Sequence, residues 1–180
     1  MKANRIGKGV FLGLSALLLV TVLHPAAATA VEYTFSIFDI PGATWTTAGG
    51  INDLGQIAGV YGTDPRDRKQ VYPSSGFIKE GLIVTTFNFP EGYSYTGISD
   101  INNFGQIVGP AGNFRFGFIK TGSDYTILRF PDANRTIPTG INDNGIVVGW
   151  YESYNRSHGF SWDGSSFTTI DFPDARLTYV

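Results

Sequence analysis

The stretch Gly50-Ile51-Asn52-Asp53-Leu54-Gly55-Gln56-Ile57 returns as Asp100-Ile101-Asn102-Asn103-Phe104-Gly105-Gln106-Ile107 and again as Gly140-Ile141-Asn142-Asp143-Asn144-Gly145-Ile146-Val147. A motif that recurs three times in register marks an internal repeat, and a repeat decides the architecture before any single element does. Locally, Asn-x-x-Gly fits a type I turn whose glycine takes φ > 0 as a bulge, a common hairpin connection. Asn suits the first position because its side chain hydrogen-bonds the backbone ahead of it. The strand after the turn is apolar on both faces, as in Val147-Val148-Gly149-Trp150-Tyr151. That pattern is expected where a sheet is covered on both sides. Gly59, Gly109 and Gly149 share one position in that strand, where a missing Cβ lets another backbone come close.

Two more landmarks follow each turn in the same order. One is Gly76-Phe77-Ile78, Gly117-Phe118-Ile119 and Gly159-Phe160-Ser161. The other is Phe87-Asn88-Phe89-Pro90, Leu128-Arg129-Phe130-Pro131 and Ile170-Asp171-Phe172-Pro173, with an earlier copy at Phe38-Asp39-Ile40-Pro41. Pro90 to Pro131 is 41 residues, Pro131 to Pro173 is 42, and Pro41 to Pro90 is 49, the excess falling around residues 63–68. Between landmarks lie Gly-tipped turns such as Lys79-Glu80-Gly81 and strands rich in Thr and aromatics such as Phe167-Thr168-Thr169-Ile170. Proline then ends each strand, having no N–H for the ladder.

Four short strands in about forty residues, with no helical period, predict an all-β, β-propeller-like fold of about three four-stranded antiparallel blades, an incomplete ring. A solenoid would show a shorter repeat, and a single sandwich needs no matching units. The repeats run over residues 42–90, 91–131 and 132–173. Residues 34–39 read as a lone last strand and residues 174–180 as the start of a fourth repeat. By the spacing of Pro131 to Asn142, the next turn Asn would fall near position 184. Three readings are open: a shortened piece of a longer propeller, favoured because the end falls inside a repeat; a ring completed by self-association with a second copy; or an open stack of three sheets.

The first thirty residues stand apart. Lys2, Arg5 and Lys8 lead an apolar run from Val10 to Leu23, and Ala28-x-Ala30 comes after it. This is the layout of a secretory signal peptide cleaved between Ala30 and Val31. At fourteen residues the run is shorter than the roughly 18–20 needed to span a bilayer. The expected mature domain is therefore residues 31–180, secreted (extracellular or periplasmic) and without a membrane segment. The leader takes three basic residues with it, leaving ten Lys/Arg against fifteen Asp/Glu, a net charge of −5. Such a surface has no basic stripe for a phosphate backbone, which disfavours nucleic acid.

Chemistry-bearing residues are few. With no Cys, disulfides, thiolate sites and a Cys nucleophile are excluded, and His24 and His158 alone leave little material for a His-based metal cluster. The Asp residues beside the Asn turns lack the closing acidic ligand of a calcium loop, so no metal is expected. No Gly-x-Ser-x-Gly elbow supports a triad around His158. No catalytic residue and no cofactor is assigned. Aromatic residues remain: Tyr93, Tyr95, Trp150, Tyr151 and Tyr154 are candidate ligand-binding positions, since flat rings pack on sugars or on a protein partner with the polar tip left wet. The composition therefore points to a binding or interaction module for an extracellular glycan or protein. The alternative is an extracellular polymer-degrading hydrolase, or a fragment of one, using two carboxylates that meet in space.

The phrase Gly-Ile-Asn-Asp-x-Gly-x-Ile-x-Gly, followed by a Gly-Phe strand and by Thr-Thr-Ile-Asp-x-Pro-x-Ala, resembles the bacterial extracellular HAF repeats. His158-Gly159-Phe160 matches the family's His-Ala-Phe element best, whereas Ser75-Gly76-Phe77 and Phe116-Gly117-Phe118 lack the His. The resemblance covers residues 38–173 and implies secretion and a propeller-like β-repeat. It brings no catalytic residues.

Overall fold

The computed structural model describes residues 32–64, 74–90 and 95–180. The expected signal peptide with its Ala30–Val31 cleavage position, and Tyr93, lie outside the described residues. The chain divides into two units, residues 1–36 and 37–180. In the first, the described residues 32–36 carry no strand. Among the described residues no helix is long and apolar enough to cross a membrane.

The second unit is all-β. Its strands are β1 (Trp45–Ile51), β2 (Ile57–Gly62), β3 (Ser75–Glu80), β4 (Ile83–Phe87), β5 (Asp100–Ile101), β6 (Ile107–Ala111), β7 (Phe116–Thr121), β8 (Asp124–Leu128), β9 (Arg135–Ile141), β10 (Val147–Ser153), β11 (Arg156–Trp162) and β12 (Phe167–Ile170). They form three four-stranded antiparallel sheets, β1-β2-β3-β4, β5-β6-β7-β8 and β9-β10-β11-β12. Each sheet is one repeat of the sequence, as the spacing predicts, and each is ordered as a blade, with sequential hairpins from inner to outer strand.

The Asn turns join the first two strands of each sheet. Gly55, Gly105 and Gly145 take φ of 76°, 73° and 75°, the left-handed region that glycine enters without cost. Asn102 Oδ1 accepts from the N–H of Phe104 (3.1 Å) and of Gln106 (3.0 Å), and Asn52 and Asn142 do the same in their own turns. The carboxamide also reaches the next sheet. Asn52 Nδ2 donates to the carbonyl of Asn102, and Asn102 Nδ2 to that of Asn142, both at 3.0 Å. One residue on, the N–H of Asp53 donates to Asn103 Oδ1 (2.8 Å) and the N–H of Asn103 to Asp143 Oδ1 (2.9 Å). The three turns are thus tied into a ladder.

Glycine makes the inner strands fit. A Cβ on Gly59, Gly109 or Gly149 would lie 2.1–2.2 Å from the carbonyl oxygen of Thr47, Gly97 or Ile137 respectively. No side chain survives at that distance. Around these contacts the core is filled by Val108, Ile119, Leu128, Ile141, Val147, Tyr151 and Phe160 in one cluster, by Phe89, Ala111, Phe116 and Phe118 in a second, and by Ala58, Ile101 and Ile107 in a third. β6, in the middle sheet, is buried along its whole length.

A recurring corner carries the chain from one sheet to the next. The N–H of the residue before each landmark proline donates to a threonine hydroxyl six or seven residues on: Ile40 to Thr46 (3.4 Å), Phe89 to Thr96 (3.1 Å), Phe130 to Thr136 (2.9 Å) and Phe172 to Thr178 (3.3 Å). The fourth corner lies in the final segment, residues 174–180. There the N–H of Thr178 donates to the Ser157 carbonyl (2.8 Å) and Leu177 bridges Ser157. Val180 also accepts from the hydroxyl of Thr139, as Pro138 accepts from Ser99. The segment is seated as the opening of a fourth inner strand.

Residues 34–39 are a correction. They form no strand. Alternating Phe and Ile favour a strand only where a partner supplies the ladder, and none of these residues is paired in a ladder. Phe38 instead packs edge-on against Phe77, with ring centroids 6.1 Å apart.

Candidate ligand-binding site

The hairpin β10–β11 turns at Tyr154 and Asn155, whose φ of 48° and 60° belong to the two-residue turn that matches strand twist. From that turn β11 runs Arg156, Ser157, His158, and its pairing with β12 places Gly159 opposite Ile170. Continuing the register brings His158 opposite Asp171, and the two meet: His158 Nδ1 lies 2.7 Å from Asp171 Oδ2. A carboxylate only accepts, so Nδ1 carries the proton and Nε2 faces away from the pair. The ring of Tyr151 stacks on His158 at 5.0 Å and on Phe130 at 3.6 Å, fixing the imidazole from behind.

Beyond Asp171 the chain bends through Phe172, Pro173, Asp174, Ala175 and Arg176, and the N–H of Ala175 donates to the Phe172 carbonyl at 3.1 Å. This bend and β11 enclose an open pocket of about 500 Å³, lined among others by Arg156, His158, Asp171, Phe172, Asp174 and Arg176. Its volume is in the range of small-molecule sites. Neither guanidinium has a hydrogen bond or ion pair among the described residues; Arg135 is the arginine that pairs, with Glu152 at 3.8 Å. Phe172 is 75% exposed. The corresponding residues of the other corners are covered: Phe89 is buried, and Phe130 packs on Tyr151, Phe160 and Phe167.

The aromatic candidates separate sharply. Tyr154 stands at the hairpin tip, 90% exposed. Trp150 is half-buried and meets Tyr179 edge-on at 5.4 Å. Tyr151, at 7% exposure, is a core residue with its hydroxyl on Thr169 (3.1 Å), because alternation along β10 turns it inward. Tyr95 is half-buried against Phe114, with centroids 4.4 Å apart. Among the described candidates, Tyr154 offers a free ring near β11.

Among the described residues no serine hydrogen-bonds His158. The nearest serine in sequence, Ser157, donates its hydroxyl to Tyr179 Oη at 3.4 Å. Among the described residues no group of three or more His, Cys, Asp or Glu side chains is gathered to hold a metal ion. Asp53 and Asp143 do approach each other, but Asn103 Nδ2 lies between them and donates to both at 2.8 Å. That gap is filled.

Arg156, Asp171 and Arg176 escaped the reading of the sequence. The signal for Asp171 was present in the hairpin register. The same cross-strand position is Phe116 and Arg129 in the second repeat, where the guanidinium sits 4.4 Å over the ring, so residue type alone does not reveal the pair.

Three sheets of four sequentially paired strands define an all-β, propeller-like repeat protein. In comparison with solved structures, the chain is similar to a catalytically inactive virginiamycin B lyase from Staphylococcus aureus with quinupristin, at 13% identity and a TM-score of 0.46. The similarity covers 73% of this chain and 43% of that one. This chain therefore spans less than half the length of the protein it resembles. No family model matches the sequence, and no curated protein matches it.

Proposed function

We propose that residues 31–180 are an exported, non-enzymatic binding module, a rigid β-repeat array that holds an extracellular or periplasmic glycan or protein partner. The observation that carries this reading is the open pocket beside β11, where Arg156 and Arg176 have no hydrogen bond or ion pair among the described residues and lie next to an exposed Phe172. Unpaired guanidinium groups beside an apolar ring are the groups that binding surfaces use. The basic-apolar-small leader supports export, and the likeness to HAF repeats points the same way. A hydrolase needs two carboxylates facing across space that a sugar can enter. Asp53 and Asp143 do not leave that space, because Asn103 Nδ2 fills it.

The test is to express the full-length sequence, recover the protein from the medium, and screen it on a glycan array and in a pull-down from extracellular fractions. The expected outcome is a secreted chain beginning at Val31 with a saturable partner in one of the two screens. Clean negatives in both would remove the proposal.

A further inference from the structure

From the chemistry of the pocket beside β11 we infer that its ligand is an acidic sugar, a uronic acid residue of an extracellular polysaccharide. The inference rests on the binding-module reading and narrows it to one class of ligand.

The pocket presents three kinds of group at once. Arg156 and Arg176 are cationic forks whose geometry matches a carboxylate bidentately. Asp171 and Asp174 are acceptors; Asp171 spends one oxygen on His158, and Asp174 has no hydrogen bond among the described residues. Phe172 supplies a flat apolar face. A bare anion such as sulfate would use the arginines and meet two carboxylates with nothing to offer them. A neutral sugar would satisfy the aspartates with its hydroxyls and leave both guanidinium groups unmatched. A peptide carboxylate brings the charge without the row of hydroxyl donors. A uronate brings all three complements on one ring: a carboxylate for the arginines, hydroxyl donors for the aspartates, and a C–H face for Phe172.

The site is also held in shape before any ligand arrives. Its floor is the His158–Asp171 pair, backed by the buried ring of Tyr151. Its wall, residues 172–176, is pinned by the Phe172–Thr178 corner and by the bond from Thr178 to Ser157. A preformed wall reduces the ordering cost that weakens ligand binding.

The experiment is titration calorimetry on the secreted protein with three probes: trigalacturonate, its fully methyl-esterified form, and inorganic sulfate. The expected result is saturable binding of trigalacturonate, at least tenfold weaker binding of the ester, and no binding of sulfate alone. The double variant R156A/R176A should lose trigalacturonate binding, and F172A should weaken it about tenfold. These three positions are exposed, and unchanged melting temperatures confirm that the variants fold. Equal affinity for the acid and its ester, or no binding of the acid, overturns the inference. If the glycan array finds a ligand whose binding survives R156A/R176A, the binding module stands and this site assignment falls. Empty array and pull-down screens remove both.

Discussion

At Asn102 the side chain is nearly covered, at 4% exposure, and every polar atom is in use: Nδ2 on Gln106 Oε1 and on the Asn142 carbonyl, Oδ1 on two turn amides. Asn142 occupies the same turn position but is exposed, and its Nδ2 has no partner among the described residues. Stranding a buried polar group costs more than losing an exposed one. N102A should therefore lower stability by about 2 kcal/mol and N142A by about 1 kcal/mol, read from urea unfolding; equal losses would refute the ladder's inward role. Gly109 gives a sharper case. A methyl group there would sit 2.1 Å from the Gly97 carbonyl oxygen, and overpacking against backbone costs about 3 kcal/mol. For a chain of this size that lowers the melting temperature by several degrees. L82A, at a fully exposed position, should leave the melting temperature unchanged. The tight glycines could be read directly from the repeat, because the reason for them lies within the repeat itself. The His158–Asp171 pair could not, since it depends on strand register and occurs in one repeat of the three.

Between elements, the device that repeats is the corner in which a threonine hydroxyl takes the N–H of the residue before proline. Thr136 is fully buried and belongs to β9, while Phe130 lies just past β8. That single bond fixes how the third sheet leaves the second. T136V keeps the shape and removes the acceptor, so the Phe130 amide is stranded, at a cost of about 1–3 kcal/mol. T46V should cost less, because its bond to Ile40 is longer and Thr46 is only half-buried. Comparative thermal melts of the two variants check the order. The strands, turns and proline stops of these elements were legible because each is coded locally by Gly, Asn and Pro. Two features were not. β5 is only two residues long, although Gly97 and Ser99 continue its hydrogen bonds to Pro110 and Val108, because propensity says nothing of where a ladder becomes regular. Residues 34–39 have strand composition and no strand, because pairing needs a neighbour that sequence pattern cannot guarantee.

Across residues 37–180, each sheet is stabilised by the one beside it, which makes the array nearly one-dimensional. Openings should then begin at its ends. Hydrogen exchange is expected to be slowest in β6 and β7 of the middle sheet, and at least tenfold faster in β12, whose four residues are half-buried at best. Uniform protection across the three sheets would mean that they open as one unit. Such a chain faces a hazard of its own making, since three similar turns compete for the same seats and repeat proteins are prone to pair out of order. Asp100 answers it. Gly50 and Gly140 hold the corresponding places in the other two repeats. Asp100 Oδ2 accepts from the N–H of Ile141 at 2.9 Å, while a Cβ on Gly50 would come within 2.9 Å of Asp100. The middle repeat is therefore a key cut to fit between two glycines, and it writes the order of the repeats into the fold.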